Sequence, residues 1–255
     1  MTHTGAYKEN WDSREHDYCP NLGSPYLYAD DGDTKTRLII KARCKLWTCP
    51  YCSQVNKHQH YIRILNGSNR LLDKGHQLNF VTLTSHETAR GFDASYSVFK
   101  SAWKKLSQRA RRKNKKTTGL PFEFVYIPEI HKDNTLHWHG VFTGDFSKRW
   151  WKDNSRQSGM GYMAECEPLE NAIQATNYCL KYITKHLGQE ISRKGFRRIN
   201  YSRGFPPKPV PETLLQWQIA EPDESLVSII ETAWRVKNHK VILNGNEVTE
   251  IIDNR

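Results

Sequence analysis

From residue 76 to about 205 the hydrophobic and polar positions follow two alternating periods. Leu78 to Thr84 (LNFVTLT) is a short run rich in β-formers and predicts a strand. From Ala94 to about Arg112, Tyr96, Phe99, Trp103 and Leu106 recur three and four residues apart, which predicts an amphipathic helix. Phe122 to Ile130 and Leu136 to Thr143 predict two further strands, joined through Lys132-Asp133-Asn134, and Leu169 to about His186 predicts a second helix. The order strand, helix, strand, strand, helix implies an α+β fold, an antiparallel sheet with helices packed on it. Ahead of this region, residues 1–70 carry Cys19, Cys44, Cys49 and Cys52 among turn-formers such as Gly23, Pro25 and Gly32. After Pro206-Pro207 comes a short tail, in which Lys240 to Leu243 and Glu247 to Ile251 predict strands about a tight turn at Asn244-Gly245. The expected organisation is a cysteine-rich region over 1–70, a central domain over 71–205 and an accessory tail over 206–255.

Charge adds a class of partner. The chain has 255 residues and a formal net charge of +11. Basic chains bind polyanions, because each cation that neutralises a phosphate releases condensed counterions. The charge is clustered. Lys100 to Lys116 contains Lys104, Lys105, Arg109, Arg111 and Arg112 with no acid among them, and such a run repels itself without an anionic partner. A second group, Arg193, Lys194, Arg197, Arg198 and Arg203, is interleaved with Phe196 and Tyr201, as suits a strand of splayed bases. Lys148-Arg149-Trp150-Trp151-Lys152 offers stacking of the same kind. The polar N-terminus lacks a signal-peptide pattern and no run suits a membrane span, so a reducing cytoplasmic location without membrane contact is expected. There is no G-x-x-x-x-G-K-[ST] loop, which argues against an ATP-driven motor.

Two segments carry candidate chemistry. In Leu136-His137-Trp138-His139-Gly140, alternation along a strand sends His137 and His139 to one face and Trp138 to the other. Two imidazoles so placed suit a metal. If residues 132–134 form a three-residue loop with Asn134 left-handed, Glu129 lies across from His137 and is the expected third ligand, with His131 no better placed. In Asn177-Tyr178-Cys179-Leu180-Lys181-Tyr182-Ile183-Thr184-Lys185, the helical i,i+4 spacing puts Tyr178 and Tyr182 on one face, with Lys181 and Lys185 as a second pair beside them. A tyrosine can attack a phosphodiester, but a phenol with pKa about 10 needs a metal and cations to do so near neutrality.

The cysteines suggest a second metal. Cys44-x4-Cys49-Pro50-Tyr51-Cys52 looks like a zinc knuckle, with Cys-Pro-x-Cys placing two thiolates on one turn and Cys44 as third ligand. Cys19, beside Pro20, is the preferred fourth, with His58 and His16 as rivals. Cys166 and Cys179 lack such spacing and are read as structural.

Taken together, the His-Trp-His strand, the preceding Phe80-Val81-Thr82-Leu83-Thr84 strand and Tyr178-x-x-Lys181-Tyr182-x-x-Lys185 resemble the HUH endonuclease superfamily, in particular the rolling-circle replication initiators of small phages and plasmids. The resemblance covers roughly residues 76–205, and Arg197 to Phe205 looks like the segment that follows the tyrosine helix in that family. It implies a ferredoxin-like or RRM-like palm, Mg²⁺ or Mn²⁺, and a 5′-phosphotyrosine intermediate. Tyr182 is then the expected first nucleophile, Tyr178 its alternate, and Lys181 and Lys185 assist. The implied partners are single-stranded origin DNA and a host helicase with the replication machinery. Two-tyrosine transposases and mobilisation relaxases share this active site. A zinc-containing regulator without catalysis would account for the cysteines and the charge alone, and a metallohydrolase using water would form no covalent adduct.

Overall fold

The computed structural model describes residues 19, 26–31, 36–185, 191, 195–205, 216, 218–221, 224–237, 240–243 and 246–248. In chain order the elements are β1 (Tyr26–Asp31), β2 (Thr36–Lys41), α1 (Pro50–Asp73), β3 (Leu78–Thr84), α2 (Phe92–Thr118), β4 (Phe124–Ile130), β5 (Leu136–Thr143), α3 (Lys148–Ser158), β6 (Ala164–Leu169), α4 (Ala172–Thr184), β7 (Asn200–Tyr201), β8 (Gln218–Ile219), α5 (Leu226–Lys237), β9 (Lys240–Leu243) and β10 (Asn246–Val248). The fold is α+β. It divides into two compact units, Met1–Gln54 with Pro211–Arg255, and Val55–Val210.

The Val55–Val210 unit is built on a five-stranded antiparallel sheet in the order β6-β3-β5-β4-β7. Its register depends on the loop between β4 and β5. Asn134 takes φ 61°, the left-handed region that asparagine tolerates better than most residues. His131 N–H donates to the Thr135 carbonyl at 2.9 Å, and Asn134 N–H donates to the His131 carbonyl at 2.9 Å. The three-residue loop this closes sets Glu129 opposite His137 and Ile127 opposite His139.

The two faces of this sheet differ. Even-numbered positions of β4 and β5, with Val81 and Leu83 of β3, meet α2: Trp138 stacks on Phe99 at 3.8 Å between ring centroids, and Trp103 meets Phe124 and Tyr126 edge-on. The helix α2 fits because Phe99, Ala102, Leu106 and Ala110 bury one stripe, and it stops at Gly119, whose φ of 72° closes the C-terminus. The helix α3, capped by the Ser147 hydroxyl on the Trp150 N–H, buries Trp151 completely in the same core. The opposite face is covered by α4, whose Asn171 cap accepts from Gln174 N–H and whose Ala175, Cys179 and Ile183 are buried.

The strand reading holds for β3 and β5, and α2 and α4 fall where helices were expected. Two elements were not foreseen. The stretch at Lys148–Lys152, read as exposed stacking, opens α3, because Trp151 is a core residue and its neighbours alone face out. Strand β6 carries charged and polar side chains on one face, so its apolar signal is weak.

The other unit holds a second sheet in the order β10-β9-β2-β1-β8. Its pairs are antiparallel except β2 with β9, which run parallel. The helix α5 packs Ile229, Ile230 and Ala233 against Ile39 and Val241. Buried Arg37 ties the two together, its Nε 2.6 Å from Asp30 Oδ1 and its Nη1 donating to the Ile229 carbonyl at 2.9 Å. The tail strands thus belong to a sheet begun before residue 41, while the Asn244-Gly245 turn lies outside the described residues. No helix among the described residues is long and apolar enough to cross a membrane.

The central contact is testable. A Cβ on Gly140 would sit 2.3 Å from the Val125 carbonyl oxygen and 2.8 Å from the Tyr126 Cα, both backbone atoms that cannot swing aside. Gly140→Ala is expected to destabilise the protein by about 2 kcal/mol or more, read as a lowered thermal midpoint. An unchanged midpoint would show that β4 and β5 are not so closely apposed.

Candidate functional site

Three ligand-type side chains converge on the face covered by α4. Glu129 and His139 are buried, and His131 is exposed at the rim. Each offers one atom, and the three atoms lie within 4.8 Å of one another. His139 Nε2 is 2.7 Å from Glu129 Oε2, and His131 Nε2 is 3.6 Å from the same oxygen. The close approach of His139 is too far off line for a hydrogen bond, so its buried Nε2 has no hydrogen-bond partner. Its Nδ1 lies 3.0 Å from the Thr82 hydroxyl, which fixes the ring and leaves the Nε2 lone pair directed at the Glu129 carboxylate. An orphaned nitrogen beside a carboxylate and a second imidazole fits a divalent cation.

His137 shares this face but is arranged differently. Its ring stacks on His131 at 3.6 Å between centroids, while His139 is 6.5 Å away. The sequence reading passed over His131. The signal was present, since residues 129 and 131 are two apart on one strand and alternate to the same side.

Electrostatics favour an ionised carboxylate and neutral imidazoles. Burial pushes the Glu129 carboxyl up, but the Lys185 ammonium paired with it and then His139 outweigh that, leaving it below its ordinary value. Burial pulls His139 down to about 4, against the pull of Glu129. His137 is lowered by burial and then by His131.

The tyrosines lie against this group. The Tyr182 ring lies flat over His139, 3.7 Å between centroids and 7° between planes. Phe80 stacks with Tyr178 at 4.5 Å and with Tyr182 at 5.9 Å. Tyr182 is buried, and burial followed by Glu129 raises its pKa. The Nζ atoms of Lys181 and Lys185 lie 5.6 Å and 5.3 Å from its ring centroid. Tyr178 is half-exposed and donates to Glu167 Oε2 at 3.0 Å, and that hydrogen bond raises its pKa. Glu167, on β6, was not singled out in the sequence.

The predicted DNA-contacting cations are spread over the unit. Lys104, Lys105, Arg111 and Arg112 are exposed on α2, on the opposite side of the sheet from His139. Arg109 is held by Asn154 and Gln157 of α3. Arg197 and Arg203 are exposed and Arg198 is half-buried. Arg193 and Lys194 lie outside the described residues.

In the other unit the four cysteines come together. Cys19 Sγ is 3.8 Å from Cys49 Sγ, and Cys44 Sγ is 3.6 Å from Cys52 Sγ, with all four within 4.8 Å of one another. A disulfide would need about 2.05 Å. Four thiolates about 2.3 Å from a tetrahedral zinc stand about 3.8 Å apart, which fits this cluster. Lys45, at φ 62°, turns the chain after Cys44, and backbone N–H groups of Cys44 and Cys52 point at the Cys19 and Cys49 sulfurs at 3.4 Å. Burial raises the Cys49 thiol, and raises Cys52 to about 12, so only a bound cation would make thiolates here near neutral pH. Of the rival ligands, His58 is exposed and stacks on Tyr61, and His16 lies outside the described residues. Cys179 is fully buried in α4, and Cys166 is half-buried.

Fold and site define an α+β protein with a metal-capable carboxylate–imidazole group facing a helix that carries two tyrosines. Residues 78–187 match a family of replication-associated proteins, the ORF2 type, over a span that runs from β3 through α4 and includes every residue of that group. The match supports a replication initiator. No curated protein and no solved structure matches the chain.

Two measurements check these groups. Native mass spectrometry is expected to show one zinc bound per chain, lost in Cys52→Ser; a metal-free native protein would overturn the cysteine cluster as a metal site. Calorimetric titration with Mn²⁺ is expected to lose at least about tenfold in affinity for His139→Ala and for His131→Ala. A loss for His137→Ala with none for His131→Ala would make His137 the third ligand.

Proposed function

We propose that this chain nicks and rejoins single-stranded DNA at a replication origin through a tyrosine, as a rolling-circle initiator of the HUH endonuclease kind. The observation that carries this reading is the Tyr182 ring lying flat on His139, with Glu129 and Lys185 at its edge. The Tyr182 phenolic oxygen attacks the scissile phosphorus, and the bond from phosphorus to the 3′-oxygen breaks. The phenolic proton leaves to water, the departing 3′-oxygen takes one up, and the products are a 5′-phosphotyrosine and a free 3′-OH. Lys181 and Lys185 offset charge on the phosphate oxygens. Glu129 and His139, with His131 or His137 from the stacked pair, would hold Mg²⁺ or Mn²⁺, which when bound polarises the scissile phosphate.

Such a cation would compete with Lys185 for Glu129, freeing the ammonium to meet phosphate instead. Rejoining is the reverse attack by a 3′-OH on the phosphotyrosine, so the bond energy is conserved and no nucleotide is consumed. Tyr178, one turn earlier on the same helix face, takes the second strand, with Glu167 as its hydrogen-bond acceptor. Zn²⁺ at Cys19, Cys44, Cys49 and Cys52 has a structural role, and unwinding falls to a host helicase.

A labelled single-stranded origin oligonucleotide with Mn²⁺ or Mg²⁺, run on a denaturing gel, tests this reading. A metal-dependent covalent band is expected, absent from the Tyr178→Phe/Tyr182→Phe double variant, with the single variants assigning the two roles. Origin DNA bound without adduct or cleavage under any metal would make a non-catalytic zinc-containing binding protein the better account.

A further inference from the structure

Across the sheet from the tyrosines, a cleft of about 90 Å³ opens between α2 and the chain leading into β7. Half-buried Tyr96 and Trp103 form its aromatic walls together with Tyr126 of β4. Tyr126 is only 8% exposed, yet its hydroxyl has no hydrogen-bond partner among the described residues. A buried hydroxyl left unpaired is costly, so one that lines a cleft points to a ligand group. At the rim stand Lys100 and Arg197, both exposed and neither in an ion pair among the described residues, with the half-buried Asn200 between elements.

Stacking surfaces, one buried polar group and two unneutralised cations are the parts that recognise a nucleotide. The cleft has room for one small planar ring and is far too narrow for a duplex. The exposed Lys104 and Lys105 continue the positive surface along α2.

We propose that this cleft is a second, non-catalytic subsite that takes one unpaired pyrimidine of the bound strand. The base stacks against Tyr96 and Trp103, the Tyr126 hydroxyl pairs with a ring carbonyl or amine, and Lys100 and Arg197 meet the flanking phosphates. The subsite rests on the reading that the chain binds single-stranded DNA, and gives the basic run of α2 a role on the face away from the chemistry.

Ultraviolet cross-linking of the full chain to a single-stranded oligonucleotide carrying 5-iodouracil at successive positions, followed by peptide mapping, tests the proposal. Adducts on Tyr96, Trp103 or Tyr126 are expected from one position of the strand. Tyr126→Phe is expected to weaken single-strand binding about fivefold, the worth of one hydrogen bond, while leaving the thermal midpoint unchanged or raised, because the hydroxyl has no partner within the protein. Absence of adducts on all three residues, or a Tyr126→Phe protein that binds as tightly as the parent, would overturn it. So would equal cross-linking by free 5-iodo-dUMP at the same concentration, which would put a free nucleotide in the cleft. The phosphotyrosine band on the same samples reads the nicking reaction separately: cross-links without that band leave the subsite standing and remove the nickase, and the band without cross-links does the reverse.

Discussion

Strand β5 does two jobs because successive side chains leave a strand on opposite sides. Leu136, Trp138 and Phe142 go into the core under α2, while His137 and His139 reach the face under α4. A slip of one residue in the pairing of β4 with β5 would bury both histidines under α2 and push Trp138 toward the tyrosines. The loop that prevents this slip, with its single left-handed asparagine, thereby sets the chemistry as well as the sheet. Gly140 completes the arrangement, because only a residue without a Cβ lets β4 pass this close beside the histidine strand.

The site balances burial against charge. A carboxylate and an imidazole have been taken out of water together, and what keeps Glu129 ionised is the Lys185 ammonium. Lys185 comes from the end of the tyrosine helix, so the helix is tied to the sheet through the same carboxylate that a cation would use. Tyr182 sits between them, its hydroxyl reluctant to ionise while it is buried beside negative charge. Tyr178, one helical turn away, answers to Glu167 on another strand. Two chemically identical side chains on one helix thus stand in different electrostatic surroundings.

How much of this was legible in the sequence follows from the range of the interactions. The strands and helices of the Val55–Val210 unit announce themselves through local periodicity, and the β4–β5 register follows from a loop of three residues. The grouping of Cys19 with Cys44, Cys49 and Cys52 was legible because cysteine has few reasons to be spaced so. His131 was missed because its position depends on where a strand ends, which pattern alone places poorly. The role of Glu167 needs the pairing of β6 with β3, a contact across some eighty residues of chain. The α2 cations look alike in sequence, and only the packed structure separates exposed Lys104 from Arg109, which is engaged by α3. The second sheet was the least legible part: its strands are short, and no local signal marks that β2 and β9 run side by side.

That parallel pairing has a consequence for how the chain is made. Thr36 pairs with Lys240, so β2 emerges from the ribosome about two hundred residues before its neighbour. At about 5–20 residues per second, this strand waits roughly 10–40 s with one edge open. The sheet of the Val55–Val210 unit has all its strands by Tyr201, and its core can close during that interval. Synthesis therefore delivers the tyrosine-bearing unit first and completes the sheet built from both ends of the chain last.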